Sequence, residues 1–214
     1  MSSATSDETS ARELPPGLWD RLRLDPVRAP EHIALAAGHT FAPQAASWAA
    51  EKRSRYAVSP HELGLMAKKR HATMARFEGA ATGVGGIITM APDLVALTWI
   101  QARLVFYVAA AHGYDPHDPM RPAELLVLHD FYLDPETARK ALDGIGATMV
   151  EAYVGSKLQR DEALAMRLAK FLGIRSARKL AGRLIPGVAI AFNAIGNERR
   201  TRALADKAIR FYGG

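Results

Sequence analysis

The sequence predicts an all-α fold, a single helical domain in which central apolar helices are wrapped by amphipathic ones. Three observations predict it. Ser59-Pro60-His61-Glu62 has the form of a capping box. Apolar residues recur at spacings of three and four toward the C-terminus. No alternating run rich in β-branched residues is long enough to demand a sheet, and no repeat of solenoid period is present.

The elements follow in chain order. The start, MSSATSDETSARE, is polar and acidic, without the basic-then-apolar order of a signal peptide, so residues 1–13 are expected to be a disordered tail. Residues 14–42 are expected to form an extended N-terminal arm, and residues 43–214 the helical domain. Pro43 to Ala57 is alanine-rich and free of glycine, which suits a helix stopping at Val58-Ser59-Pro60. The capping box then opens a helix whose apolar face should carry Leu63, Met66, Ala67, Met74 and Phe77, with Lys68, Lys69 and His71 elsewhere.

A glycine-rich stretch, GAATGVGGIITMAPDLVALT over 79–98, interrupts the pattern and reads as a helix break. Pro92-Asp93 starts a helix apolar nearly all round, hence buried, which Gly113 closes as the left-handed residue. Asp118-Pro119 and Asp134-Pro135 each pair a cap with proline, predicting a short helix near 120–132 and a longer one over about 135–157. Leu164, Leu168, Phe171 and Leu172 mark a helix over 160–172 that Gly173 ends. Ser176 to Ile185 reads as a basic helix, and 197–212 as a last one bearing Leu204, Ala208, Phe211 and Tyr212 on one face.

Composition excludes several chemistries. With no cysteine, the chain has no thiolate metal site, disulfide or cysteine nucleophile, and it is expected to be cytoplasmic. The phosphate-loop reading of 79–98 fails because no lysine lies between Gly79 and Lys140. The dinucleotide fingerprint fails at Ile88, where its third glycine belongs. His61-Glu62 begins a zinc-protease pattern, but Leu65 stands where its second histidine should be. There is no G-x-S-x-G, and Ser176-Ala177-Arg178-Lys179 lacks the motifs that accompany S-x-x-K chemistry. His129-Asp130 suits a helical surface or cap role better than a metal site. The expectation is a non-enzyme with no catalytic residue, no metal and no cofactor.

Charge is distributed unevenly. Residues 1–156 hold 15 basic and 18 acidic side chains, and residues 157–214 hold 13 basic and 4 acidic. A basic C-terminal quarter suits nucleic acid, an anionic membrane or an acidic protein face. No zinc-finger or aromatic RNA-binding signature accompanies it, which argues against nucleic acid, although a helix-turn-helix fits an all-α basic region. Two runs, 79–92 and 184–197, are each 14 residues without a charge and contain glycine and proline. Both are too short to span a bilayer as simple helices, and they suit a buried core or an interfacial element. Cations flank them: Lys68, Lys69, Arg70 and Arg76 before the first, and Arg175, Arg178, Lys179, Arg183, Arg199, Arg200 and Arg202 around the second. Apolar segments flanked in this way suit an anionic leaflet. Arg103 lies within the most apolar helix, where an unpaired guanidinium is costly. It calls for a carboxylate or helix C-terminus, or for a cavity in which it meets an anionic ligand.

The block GAATGVGGIITMAPDLVALTWIQARLVFYVAAAHGYDP resembles the hallmark of the EcsC family: a Thr-Gly-x-Gly-Gly turn, a Pro-Asp-Leu step, a Gln-x-Arg-Leu helix and a closing His-Gly-Tyr-Asp. The C-terminal RLIPGVAIAFNAIGNERRTRALADKAIRFY resembles the family's second block, although GVAIAFNAIG stands where members often carry more glycine. Together the two cover roughly residues 50–212. The resemblance implies a membrane-associated protein linked to transport or secretion, with an ABC-type transporter or other membrane protein among its partners, and it supplies no catalytic residue.

The candidate ligand- or lipid-binding residues are therefore Thr82, Gly83, Gly85, Gly86, Asp93, Gln101 and Arg103. The candidate contacts to an anionic membrane or acidic partner are Lys68, Lys69, Arg70, Arg175, Arg178, Lys179, Arg183, Arg199 and Arg200. The expected function is that of a peripheral membrane- or lipid-associated protein on the inner face of the cell membrane. The alternatives are a soluble adaptor using its basic helical face, and a nucleic-acid-binding helical domain.

Overall fold

The computed structural model describes residues 14–82, 90–147, 157–174 and 186–214. Among these there are eight α-helices, one 3₁₀ turn and no strand. They are α1 (Leu18–Leu24), the 3₁₀ turn Pro26–Arg28, α2 (Ala29–Arg55), α3 (Pro60–Thr82), α4 (Met90–Ala111), α5 (Arg121–Leu128), α6 (Pro135–Ala147), α7 (Lys157–Phe171) and α8 (Pro186–Gly213). The all-α expectation holds. The tail at 1–13, residues 148–156 of the expected longer helix and the basic helix at 176–185 lie outside the described residues.

The centre of the molecule is α4. Every residue from Leu97 to Ala111 is buried, because α2, α3, α5, α7 and α8 all pack on it. A segment this long and apolar could cross a bilayer by composition, but 89% of it is buried inside the protein. Its end is built as expected: Gly113 adopts φ 89, and Tyr114 N–H donates back to Ala109 O at 3.1 Å. Arg53, in the last turn of α2, donates to Ala110 O at 2.6 Å and Ala111 O at 3.2 Å, placing a cation on the negative end of α4.

The capping box forms as written: Ser59 Oγ accepts from Glu62 N–H at 3.2 Å, and Glu62 accepts from Ser59 N–H at 2.8 Å. The helix it opens, α3, runs antiparallel to α8. Lys68 meets Asp206 at 2.5 Å, and Arg76 meets Glu198 at 3.7 Å, so one numbering rises as the other falls. Close approach is needed at Gly64. A Cβ there would lie 2.8 Å from His112 Cε1 and 3.2 Å from Ile209 Cγ1. The His112 ring has little freedom to yield, since its Nδ1–H donates to Val108 O at 2.9 Å. Gly64→Ala is expected to cost about 1–3 kcal/mol through overpacking, despite alanine's better helix propensity, as measured by urea denaturation.

Four expectations are corrected. Residues 14–42 are not an extended arm: they form α1, the 3₁₀ turn and half of α2, with Leu18, Leu22, Ile33 and Phe41 fully buried. The helix predicted from Pro43 begins at Ala29 and passes through that proline. The buried face around it, Phe41, Ala45, Trp48 and Ala49, holds the helix together where proline removes one backbone donor. On α3, Met66 and Phe77 are exposed, and His71 is fully buried. The packed line is Leu63, Ala67, His71 and Ala75, spaced by four, and His71 Nδ1–H donates to Ala67 O at 2.8 Å. The short helix predicted to reach residue 132 stops at Leu128. Asp130 takes the left-handed conformation at φ 56, and Phe131 N–H donates to Leu126 O at 3.0 Å.

Candidate functional site

The polar side chains of α4 occupy different sides of the core. Gln101 donates to Thr201 Oγ1 on α8 at 3.2 Å. Arg103, two residues on and so about 200° around the helix, points away from it, toward α2 and α3. Its Nη2 donates to Tyr107 Oη at 2.9 Å, and its guanidinium lies 5.0 Å from the Tyr107 ring centroid and 5.7 Å from that of Phe41. Trp48 and His71 also pack on Tyr107, with centroids 5.1 and 4.9 Å away, and Arg70 approaches the same ring at 5.6 Å. This is an aromatic, cation-rich centre sealed from solvent, Arg103 being 0% exposed. Asp93, in the first turn of α4, is half-buried. Gln101 and Arg103 therefore face different sides of the core. Thr82 ends α3, and Gly83, Gly85 and Gly86 lie outside the described residues.

Of the candidate surface cations, Arg175, Arg178, Lys179 and Arg183 also lie outside the described residues. Lys68 is engaged by Asp206, and Arg70 lies against Tyr107. Arg200 is half-buried, and desolvation pulls its pKa down. Lys69 and Arg199 are exposed. Near the end of the α3–α8 pair, within one turn of the Arg76–Glu198 contact, Phe77 is 60% exposed and Ile195 55% exposed. Arg76 precedes Phe77 in sequence, Arg199 follows Ile195 by four residues, and the first charge-free run begins and the second ends near this contact.

The opposite end holds a polar network that the sequence reading missed. Glu124 on α5 accepts from Arg121 and, at 2.6 Å, from Tyr212 Oη on α8. Asp118 accepts from Arg121 at 3.2 Å. Tyr114 and Tyr212 pack 5.1 Å apart, with the Arg121 guanidinium 5.2 Å and 5.6 Å from their respective centroids. Burial pushes the Glu124 carboxyl up, against the pull of Tyr212 and Arg121. Tyr212 is raised by burial and by the adjacent Glu124, which favours its phenol form as donor. Glu124, Asp118 and Tyr212 each pair within the protein, although Arg121 Nε is buried without an acceptor, and the network locks α5 and the turn after α4 onto the end of α8. The Arg121-x-x-Glu124 spacing was the one sequence signal for it.

A third polar group lies under the 129–132 turn. Tyr132 Oη donates to Glu31 Oε1 at 2.7 Å, and burial together with Glu31 pushes the Tyr132 pKa up to about 12. His129 stacks on Phe171 at 4.0 Å, and Arg167 lies over Phe131 at 4.5 Å. Two grooves flank this turn: one of about 420 Å³ toward Lys207, Arg210 and Phe211, the other of about 870 Å³ toward α7. Among the described residues no cluster of histidine, aspartate and glutamate has the makings of a metal site.

The profile of the EcsC protein family matches residues 50–213. An "Uncharacterized protein YdbA" from Bacillus subtilis (strain 168) is 38% identical over 50 residues, which is 23% of this chain and 18% of that protein. The chain therefore aligns with less than a fifth of that relative's length. No solved structure matches the chain. The closing motifs of the two blocks meet in space, Tyr114 of His-Gly-Tyr-Asp against Tyr212 of Ile-Arg-Phe-Tyr, and the chain belongs to the EcsC protein family.

Proposed function

We propose that the protein is a non-enzymatic, peripheral membrane- or lipid-associated member of its family, linked to transport or secretion at the inner face of the cell membrane. The observation that carries this reading is the pair of exposed apolar side chains, Phe77 and Ile195, within a turn of Arg76 and Arg199, with Ile195 inside the second charge-free run and Phe77 just before the first. Large apolar groups next to arginines suit the boundary between headgroups and acyl chains: the rings and branches enter, and the guanidinium groups meet phosphate. The sealed position of α4 supports attachment from one side of the bilayer rather than crossing by that helix. Its partners on this reading are anionic lipid and a membrane protein, an ABC-type transporter being the class the family resemblance suggests.

Vesicle flotation tests it. The protein is expected to float with vesicles containing phosphatidylglycerol, to bind phosphatidylcholine vesicles less, and to dissociate partly at high salt. Replacing Phe77 and Ile195 together by aspartate should weaken binding at least tenfold while leaving the circular dichroism melt in place, because both side chains are already in water. Equal flotation of the double variant, or no flotation of the wild type, overturns the reading. The second outcome would favour a soluble adaptor.

A further inference from the structure

The larger groove has the features of a small-molecule site rather than of a gap between helices. It runs between the 3₁₀ turn, which gives Val27, the turn after α5, which gives His129, and α7 with the turn after it, which give Met166, Arg167, Lys170 and Ile174. Its volume of about 870 Å³ lies within the range of ligand pockets. Its charge is one-sided. Among the described residues Arg167 and Lys170 line it, and the one carboxylate there, Asp130, is engaged by Lys207 at 2.5 Å.

Arg167 is held as a presented cation. Its guanidinium carbon sits 4.5 Å from the Phe131 ring centroid, and its Nε is buried with no protein atom accepting from it. The planar fork of an arginine guanidinium matches the two oxygens of a carboxylate. Around it the groove is apolar and open to solvent, Met166 being 51% exposed and Val27 56% exposed.

We infer that this groove binds an amphiphilic carboxylate, with its head on Arg167 and Lys170 and its alkyl chain laid along Val27, Met166 and Ile174. The inference goes beyond membrane docking, since the groove and the Phe77–Ile195 end share no residue.

Equilibrium dialysis of the full chain with radiolabelled dodecanoate, below its micellar concentration, tests the assignment. One equivalent is expected to bind, with 1-dodecanol and hexanoate each at least tenfold weaker, since one lacks the charge and the other most of the chain. Arg167→Gln should weaken dodecanoate at least tenfold. Met166→Glu, at an exposed position where folding is not at stake, should do the same by placing a like charge in the groove. The Phe77→Asp, Ile195→Asp variant should bind dodecanoate as the wild type does, which separates failure of this site from failure of membrane docking. Dodecanol binding as tightly as dodecanoate, or undiminished binding by Met166→Glu, overturns the proposal even where Arg167→Gln fails to fold.

Discussion

A chain starting at residue 50 is expected to fail as a soluble, cooperatively folded monomer, although the family match begins there. The cut removes α1 and most of α2, and with them Leu18, Leu22, Ile33, Phe41 and Trp48. Phe41 packs on Trp99 at 4.5 Å and Trp48 on Tyr107 at 5.1 Å, so their loss uncovers the most apolar helix of the protein. Burying five such side chains contributes roughly 10 kcal/mol at about 2 kcal/mol each, comparable with the whole net stability of an ordinary domain. The loss would also bring water to Arg103, whose guanidinium lies against Phe41. Sedimentation and circular dichroism decide the matter: aggregation or a non-cooperative melt is expected, and a monomer of 50–214 melting as sharply as the full chain would refute it. The point substitution Phe41→Ala should cost about 3–5 kcal/mol on the same grounds.

The second large effect concerns acid. Burial against Phe171 lowers the His129 pKa to about 3 from an ordinary value of 6.5. Above pH 6.5 the ring is neutral in both native and unfolded chains and contributes no pH dependence. As pH falls below 6.5 the unfolded chain takes up a proton that the native state refuses, so stability declines until the native ring also protonates near pH 3. Between pH 6.5 and pH 5 this amounts to about 2 kcal/mol, at 1.36 kcal/mol for each pH unit. His129→Phe keeps a ring against Phe171 and removes the titration. Urea denaturation at both pH values should therefore show a smaller acid loss in the variant by about that amount. Parallel losses in variant and wild type would show that other groups carry the acid sensitivity.

Much of the architecture was legible because local chemistry declared it. The capping box at Ser59, the glycine stops at 113 and 173, and the nearly unbroken apolar character of 94–111 need no tertiary context to be read. The helix over 29–42 was not legible, since its buried face is largely alanine and two prolines interrupt the sequence around it. Small residues give almost no periodic signal, yet they bury a helix as effectively as large ones when neighbouring helices come close. The same blindness misplaced Phe77 and His71. Periodicity ranks residues by apolarity, whereas the α3–α8 crossing selects the line of 63, 67, 71 and 75 by geometry. As for the sites, Gln101 and Arg103 were recognisable as buried polar groups, and their two-residue spacing already separated their directions. The carboxylate groove was invisible in the sequence because its walls come from three segments more than 30 residues apart.

The antiparallel pairing of α3 with α8 also sets a timetable for synthesis. Lys68 and Asp206 are 138 residues apart, so the sides of α3 and α4 that α8 covers stay open until residue 206 has been made. At about 5–20 residues per second, the interval between completing α4 and reaching Leu204 is roughly 5–20 s. Throughout that interval the face of Ala91–Ala111 that α8 covers stays open, on a segment long and apolar enough to be read as a membrane span. The newborn protein thus offers chaperones and targeting factors an apolar signal that the finished protein withdraws.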